Sequence, residues 1–127
     1  MAADAKQTVL RILAVDDDEQ IRRSMPRFFH KLAAQVRCAS SAAEALALME
    51  QEQPDLLISD YEMPGMTGLE LLEQVRARWP QVRSVLSTGE PGAVKLAESR
   101  GFAAVLKPGA GDALLAIAAE MIERKTT

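Results

Sequence analysis

The sequence contains few residues of several types that often form functional sites and covalent cross-links in proteins. Its 127 residues include one cysteine and one histidine, and aromatic residues make up 4% of the total. A single cysteine, Cys38, cannot form an internal disulfide, which fits a reducing compartment. We expect Cys38 to be a buried, unreactive thiol on a short strand.

Long apolar runs and an excess of positive charge are also missing. The chain has no apolar run of about 18 residues, and residues 1–8 lack the apolar segment of a secretion signal. With 15 basic and 18 acidic residues, the net charge is −3. This balance offers no electrostatic footprint for nucleic acid or for an anionic membrane. We therefore expect a cytoplasmic protein that binds neither nucleic acid nor membrane directly.

The informative feature that is present is a charged residue at the end of each of three short apolar runs. Residues 12–15 precede Asp16, Asp17 and Asp18, residues 56–59 precede Asp60, and residues 103–106 precede Lys107. Such runs are typical of strands buried on both faces, as in a parallel sheet covered by helices. Because α/β proteins bind ligands at the carboxyl ends of their strands, we expect these charges to converge.

The rest of the chain supports a parallel sheet, because apolar strand and helix patterns alternate along it. Further strands are predicted at 36–39 and 82–86. Pro26 lies inside the first helical pattern and predicts a kink or break there. The fourth helix is expected to be short. The three phenylalanines are predicted to lie in the core: Phe28, Phe29 and Phe102.

The acidic residues indicate a magnesium site. If the strands before Asp16, Asp17 and Asp60 are neighbours, two of the carboxylates at about 4 Å repel each other by about 4 kcal/mol at an effective dielectric constant of about 20. A hard divalent cation offsets this repulsion, and proteins hold Mg²⁺ with carboxylates, waters and phosphate oxygens. We expect Asp17 and Asp60 to bind Mg²⁺ directly and Asp16 to bind it through water. Asp18 is expected to cap the first helix.

Two further side chains are predicted to complete a phosphoryl site. The hydroxyl of Thr88 and the ammonium of Lys107, at adjacent strand ends, can hold two oxygens of a phosphoryl group. Ser87 is the alternative source of the hydroxyl. Since carboxylates form covalent aspartyl phosphates, Asp60, alone at its strand end, is the expected nucleophile.

These motifs, and the order in which they occur along the chain, resemble those of the receiver domain of bacterial two-component response regulators. The most specific segment spans residues 55–68 and reads DLLISDYEMPGMTG, like the phosphoacceptor strand and loop of that family. The resemblance implies an α/β fold with a flavodoxin-like, doubly wound sheet of five parallel strands in the order 2-1-3-4-5 and about five helices. It places the domain at residues 11–124, between terminal tails at 1–10 and 125–127.

The resemblance also implies partners and roles. Asp60 takes a phosphoryl group from a histidine kinase or a histidine phosphotransfer protein, and the signal passes to a downstream protein or domain. The domain is then a signalling module rather than an enzyme, and the family is compatible with a homodimer. The implied Mg²⁺ ligands are Asp16, Asp17, Asp60 and the backbone carbonyl of Glu62, and the implied ligands of the phosphoryl oxygens are Thr88 and Lys107. The bond between Lys107 and Pro108 is expected to be cis.

Two departures from the family pattern concern the output face. Ala104 stands where receivers carry Tyr or Phe on the fifth strand, and Gly109 stands where a bulky apolar residue is usual. We expect the phosphorylation chemistry to be intact and the signal to leave through backbone and loop movement. Glu62 and Glu90 occupy the variable positions that face the phosphoryl group, where negative charge is expected to affect phosphate loss.

Two other functions remain open from the sequence. A magnesium-dependent phosphatase of the haloacid-dehalogenase type would use Asp16 and Asp18, but it expects Thr where Gln20 stands and needs no Asp60. A phosphate-independent docking module with a vestigial pocket would account for Ala104, but not for the retention of the whole pocket.

Overall fold

Five strands form one parallel sheet at the centre of the protein, whose computed structural model describes residues 9–126. In chain order they are β1 (Leu10–Val15), β2 (Ala34–Ala39), β3 (Leu56–Ser59), β4 (Arg83–Thr88) and β5 (Ala103–Leu106). Across the sheet they lie in the order β2-β1-β3-β4-β5. The predicted doubly wound, flavodoxin-like α/β fold is therefore confirmed.

Five helices cover the two faces of the sheet. They are α1 (Glu19–Phe28), α2 (Ala42–Gln51), α3 (Gly68–Arg78), α4 (Pro91–Ser99) and α5 (Gly111–Thr126). The core on one face is formed with α2, α3 and α4, and the core on the other with α1 and α5. Alternate residues of the strands supply the two cores, which is why the central strands are apolar on both faces. As predicted, α4 is short, with nine residues.

Side-chain caps fix the starts of the helices that follow the site. Asp18 caps α1 by accepting hydrogen bonds from the backbone N–H groups of Gln20 and Ile21, at 2.8 and 3.4 Å. Thr67 caps α3 in a capping box with Glu70. Each cap satisfies backbone donors that a helix start leaves unpaired. The predicted cap role of Asp18 is confirmed.

Of the kink or break predicted at Pro26, the break is not found, because α1 continues through this residue to Phe28. Pro26 lies in the last turn, where its missing N–H costs only the hydrogen bond to the carbonyl of Arg22. That carbonyl instead contacts the thiol of Cys38, with Sγ 3.4 Å from the oxygen. The contact with Cys38 therefore partly replaces the lost hydrogen bond, and the helix ends two residues after Pro26.

Cys38 itself is half-buried on β2. Burial raises the pKa of its thiol, and the positive charge of Arg22 opposes this shift only in part. A raised thiol pKa lowers the thiolate fraction at neutral pH, which agrees with the predicted unreactive thiol.

Other expectations from the sequence need correction or adjustment. Phe29 and Phe102 are buried as predicted, but Phe28 is 37% exposed, because it lies on the open side of α1. The first strand begins at Leu10, one residue before the predicted start of the domain, and α5 extends to Thr126. The rest of the predicted N-terminal tail, residues 1–8, and Thr127 lie outside the described residues. Within the described chain, no helix combines the length and apolar character that a membrane span requires.

Gly68 allows the start of α3 to lie directly against the end of β3. A Cβ atom at this position would overlap the carbonyl oxygen of Asp60. The backbone N–H of Gly68 donates to the carbonyl of Tyr61 at 2.8 Å, which holds the loop closed. Only glycine permits this approach without moving the backbone that carries Asp60.

We predict that Gly68→Ala lowers the free energy of unfolding by about 2 kcal/mol or more, because the overlap is with backbone that cannot rotate away. Gly92→Ala is the matched control, since its added Cβ would meet no atom within 4 Å inside α4. Alanine favours helix by up to about 1 kcal/mol, so this control should be as stable as the parent or more stable. Urea unfolding of both variants measures the difference. Equal stabilities would contradict the close approach.

Candidate functional site

The topology of the sheet brings three carboxylates together at one edge. Ser59 pairs with Val15 in the parallel ladder between β3 and β1, so the residues that follow these strands emerge side by side. These are Asp60 on one strand and Asp16 on the other. With Asp17, they offer one carboxylate oxygen each within 4.8 Å of one another. The structure therefore brings together the three acidic residues that the sequence predicted to converge.

Lys107 reaches this cluster from the end of β5. Its backbone N–H donates to the carbonyl of Thr88 at 2.7 Å, which extends the ladder between β4 and β5 by one bond. Its side chain then crosses the end of β4. The ammonium lies 3.3 Å from Oδ1 of Asp60 and 3.4 Å from Oδ2 of Asp16. The peptide bond to Pro108 is cis, as predicted.

The site has a surplus of negative charge. Asp16 is 7% exposed and Asp60 is half-buried, so both carboxylates are partly removed from water. Burial raises the pKa of Asp60, the ammonium of Lys107 opposes that shift, and the nearby charge of Asp16 adds to it. Because one ammonium cannot balance three carboxylates, the oxygen donors fit a hard divalent cation such as Mg²⁺.

The acidic turn is held by contacts that sequence patterns did not single out. The backbone N–H of Asp18 donates a hydrogen bond to Oδ1 of Asp16 at 2.9 Å. Nη1 of Arg22 donates a hydrogen bond to the backbone carbonyl of Asp16, also at 2.9 Å. The signal for Arg22 was its position one helical turn after the Asp18 cap, which directs its side chain back towards the strand end. Arg22 thus ties α1 to the acidic turn.

The two candidate hydroxyls, on Ser87 and Thr88, are both buried near the end of β4. The hydroxyl oxygen of Thr88 accepts the backbone N–H of Glu90 at 3.1 Å. Its own hydrogen remains available to a ligand. Ser87 lines a groove together with Asp60 and Lys107. The side chains of Glu62 and Glu90 are both exposed, and the role of the Glu62 carbonyl as a ligand stays a prediction.

Comparison with known proteins gives one consistent family. The model of the response regulator receiver domain matches residues 12–119 of this chain. The C4-dicarboxylate transport transcriptional regulatory protein DctD of Rhizobium meliloti (strain 1021) is 32% identical over 117 residues, which cover 90% of this chain and 25% of DctD. The hydrogenase transcriptional regulatory protein HoxA of Cupriavidus necator is 31% identical over 120 residues, 88% of this chain and 24% of HoxA. The chain thus spans about a quarter of the length of these relatives.

Solved structures agree with the family match. A CheY-like response regulator receiver domain protein from Methanospirillum hungatei JF-1 is 30% identical and superimposes with a TM-score of 0.81, covering 93% of this chain and 97% of its own. A receiver domain protein from Clostridium thermocellum has the same TM-score at 24% identity and supports the fold.

We predict that Mg²⁺ stabilises the domain, because a cation that binds only the folded carboxylate cluster shifts the unfolding equilibrium. At a concentration ten times its Kd, Mg²⁺ should add about 1.4 kcal/mol to the free energy of unfolding. Thermal unfolding in MgCl₂ and in NaCl of equal ionic strength measures the specific effect. Asp17→Asn should lose most of it, whereas Glu98→Gln, which removes an equal charge from the exposed surface of α4, should retain it. Equal stabilisation of both variants would place the cation elsewhere.

Proposed function

The chain belongs to the family of response regulator receiver domains, and from this premise we propose that Asp60 accepts a phosphoryl group from a histidine kinase or a histidine phosphotransfer protein. The family is a signalling module of two-component systems rather than a class of enzymes. The domain would then switch an output partner according to its phosphorylation state. The observation that carries this proposal is the contact of the Lys107 ammonium with the carboxylates of both Asp60 and Asp16.

Asp60 is the proposed nucleophile because it stands alone at the end of β3, in the segment that resembles the phosphoacceptor strand and loop of the family, and its carboxylate lies beside the Lys107 ammonium. Its oxygen would attack the phosphorus atom, and the bond from phosphorus to the donor nitrogen would break. Mg²⁺, held by Asp17, Asp60, the Glu62 carbonyl and, through water, Asp16, would offset the charge on the phosphoryl oxygens.

Lys107 and Thr88 would hold the remaining phosphoryl oxygens. The ammonium already lies 3.3 Å from the Asp60 carboxylate, so it needs little movement to contact a group attached there. The hydroxyl of Thr88 uses its oxygen to accept from Glu90, which leaves its proton for a phosphoryl oxygen. Donors that are already in place when charge develops are the main protein contribution to phosphoryl transfer.

A phosphatase of the haloacid-dehalogenase type is disfavoured by the position of Asp18. That mechanism needs Asp18 as a free acid beside an Asp16 nucleophile, but the Asp18 carboxylate is engaged as the cap of α1. It also leaves Asp60 without a role, although Lys107 could serve as its basic residue.

A phosphate-independent docking module is the second candidate, and Ala104 is the observation that favours it. This residue is partly buried against the core on the side of α2, α3 and α4, where the family carries an aromatic side chain. The loss of that ring argues for an output that uses backbone movement between β4 and β5. The intact cluster of Asp16, Asp17, Asp60 and Lys107 argues for retained phosphorylation.

We predict that incubation with acetyl phosphate and Mg²⁺ produces a covalent adduct of about 80 Da, the mass of one phosphoryl group. The adduct should be absent in Asp60→Asn and when Mg²⁺ is removed with EDTA, because both the nucleophile and charge neutralisation are required. Intact-mass spectrometry at acidic pH measures it. An unmodified parent protein would favour the docking module, and continuous release of phosphate by Asp60→Asn would favour the phosphatase.

A second prediction separates the two hydroxyls at the end of β4. Thr88→Ala should slow phosphorylation by about tenfold or more, because a donor to the developing charge is lost. Ser87→Ala is the matched control, since it deletes a buried hydroxyl from the neighbouring position and should leave the rate within about twofold. The rates are measured by the appearance of the adduct over time. If Ser87→Ala slowed phosphorylation and Thr88→Ala did not, Ser87 rather than Thr88 would supply the hydroxyl.

A further inference from the structure

A groove of about 640 Å³ opens at the site and runs between α1 and the turn that leads into α5. At its inner end it is lined by Asp60 and Lys107. The apolar residues that line it, which define the α1–α5 groove, include Ala14, Ile21, Met25, Phe28, Ile58 and Leu114. Its volume and its mostly apolar walls are those of a small-molecule site. Its polar end is the one at Asp60 and Lys107, and Arg27 and His30 also line the groove.

The groove exists because both of its walls are incomplete. No described residue of α1 is buried, and Phe28 leaves 37% of its surface exposed. On the other wall, Gly109 has a φ of +99° and an added Cβ there would meet no atom within 4 Å. An added Cβ at Gly111 would lie 3.1 Å from the ring of Phe28. Small residues after Pro108 therefore leave open space that runs up to the nucleophile.

The polar end of the groove suits an anionic group. Two cations line this end: Lys107, which contacts Asp60, and Arg22, which donates to the carbonyl of Asp16. The carboxylates of Asp16 and Asp60 are the groups that would be neutralised when a divalent cation is bound. A ligand with a phosphoryl head and an apolar tail would then match the charge at this end and the apolar walls that adjoin it.

We propose that the α1–α5 groove makes this domain selective, among small-molecule phosphodonors, for acyl phosphates with a flexible apolar acyl chain. This inference rests on the proposed function of Asp60. In the reaction, an Asp60 oxygen forms a bond to phosphorus, the bond from phosphorus to the acyl oxygen breaks, and the carboxylate R–COO⁻ leaves with that electron pair. The product is the aspartyl phosphate, and no proton transfer is needed.

Chain length decides whether the tail can use the groove. In an in-line displacement the leaving oxygen lies on the side of phosphorus away from Asp60. The acyl chain must therefore turn back to reach the apolar walls, which an acetyl group is too short to do. A hexanoyl chain has four more methylenes and enough rotatable bonds to reach them. Straight-chain carboxylates are nearly equal leaving groups, so a difference in rate reports binding.

The test compares acetyl, butyryl and hexanoyl phosphate as donors to the full chain in Mg²⁺, with the Asp60 adduct followed by intact mass. The second-order rate constant should rise along the series and be about tenfold or more larger for hexanoyl than for acetyl phosphate, because part of the chain leaves water. Equal rate constants for all three donors would overturn the selectivity while leaving the proposed function of Asp60 in place. No adduct with any donor would overturn both.

A pair of variants locates the effect on α1. Ser24 lines the groove at an exposed position, so Ser24→Phe should fill it and bring the ratio of hexanoyl to acetyl rate constants close to one. Arg23→Phe adds the same ring at a neighbouring exposed position that does not line the groove, and it should keep the ratio. A ratio that is unchanged in Ser24→Phe, or lost equally in both variants, would contradict the assignment to the groove. Each ratio is internal to one variant, so a partly unfolded sample cannot imitate the result, and the donor series of the parent protein stands without either variant.

Discussion

Lys107 and the two carboxylates that it contacts form the interaction on which the rest of the site depends. The ammonium lies between Asp60 and Asp16, at 3.3 and 3.4 Å, and it joins the ends of strands that are distant in sequence. It only partly compensates the acidic cluster, because Asp17 contributes a further carboxylate. The excess negative charge of the site favours the binding of a cation. A bound cation would in turn allow an anionic group to bind there. The same imbalance of charge therefore supports both the proposed magnesium binding and the proposed phosphoryl transfer.

The parallel sheet is the scaffold that makes this convergence possible. Neighbouring β1 and β3 place Asp16 and Asp60 side by side, whereas Lys107 must extend past the end of β4 to reach them. Gly68 lets α3 start against the backbone of Asp60, which holds this residue from the other side. Most of the constraints on the site are thus backbone constraints. They are in place before any ligand binds, which lowers the cost of organising the reaction.

Much of this could be predicted from the sequence because the relevant signals are local. Apolar runs that end in charged residues indicated the strands and the end of the sheet at which Asp60 and Lys107 meet, and Asp18 after the first run indicated the cap of α1. The errors arose where the outcome depends on a neighbour in space. Pro26 is tolerated because its position is close to the end of α1, and Phe28 is exposed because it lies on the open side of α1, where it faces Gly111. No sequence pattern indicated the α1–α5 groove, because the groove is formed between two elements that are distant in the sequence.

The most direct test of the central claim is a crystal structure of the domain grown with Mg²⁺ and beryllofluoride, a stable mimic of the phosphoryl group. We expect beryllium to be bonded to a carboxylate oxygen of Asp60, with the ammonium of Lys107 and the hydroxyl of Thr88 each within about 3 Å of a fluoride. Mg²⁺ should contact oxygens of Asp17 and Asp60. Beryllofluoride bound at another residue, or on Asp60 with Lys107 turned away into solvent, would contradict it.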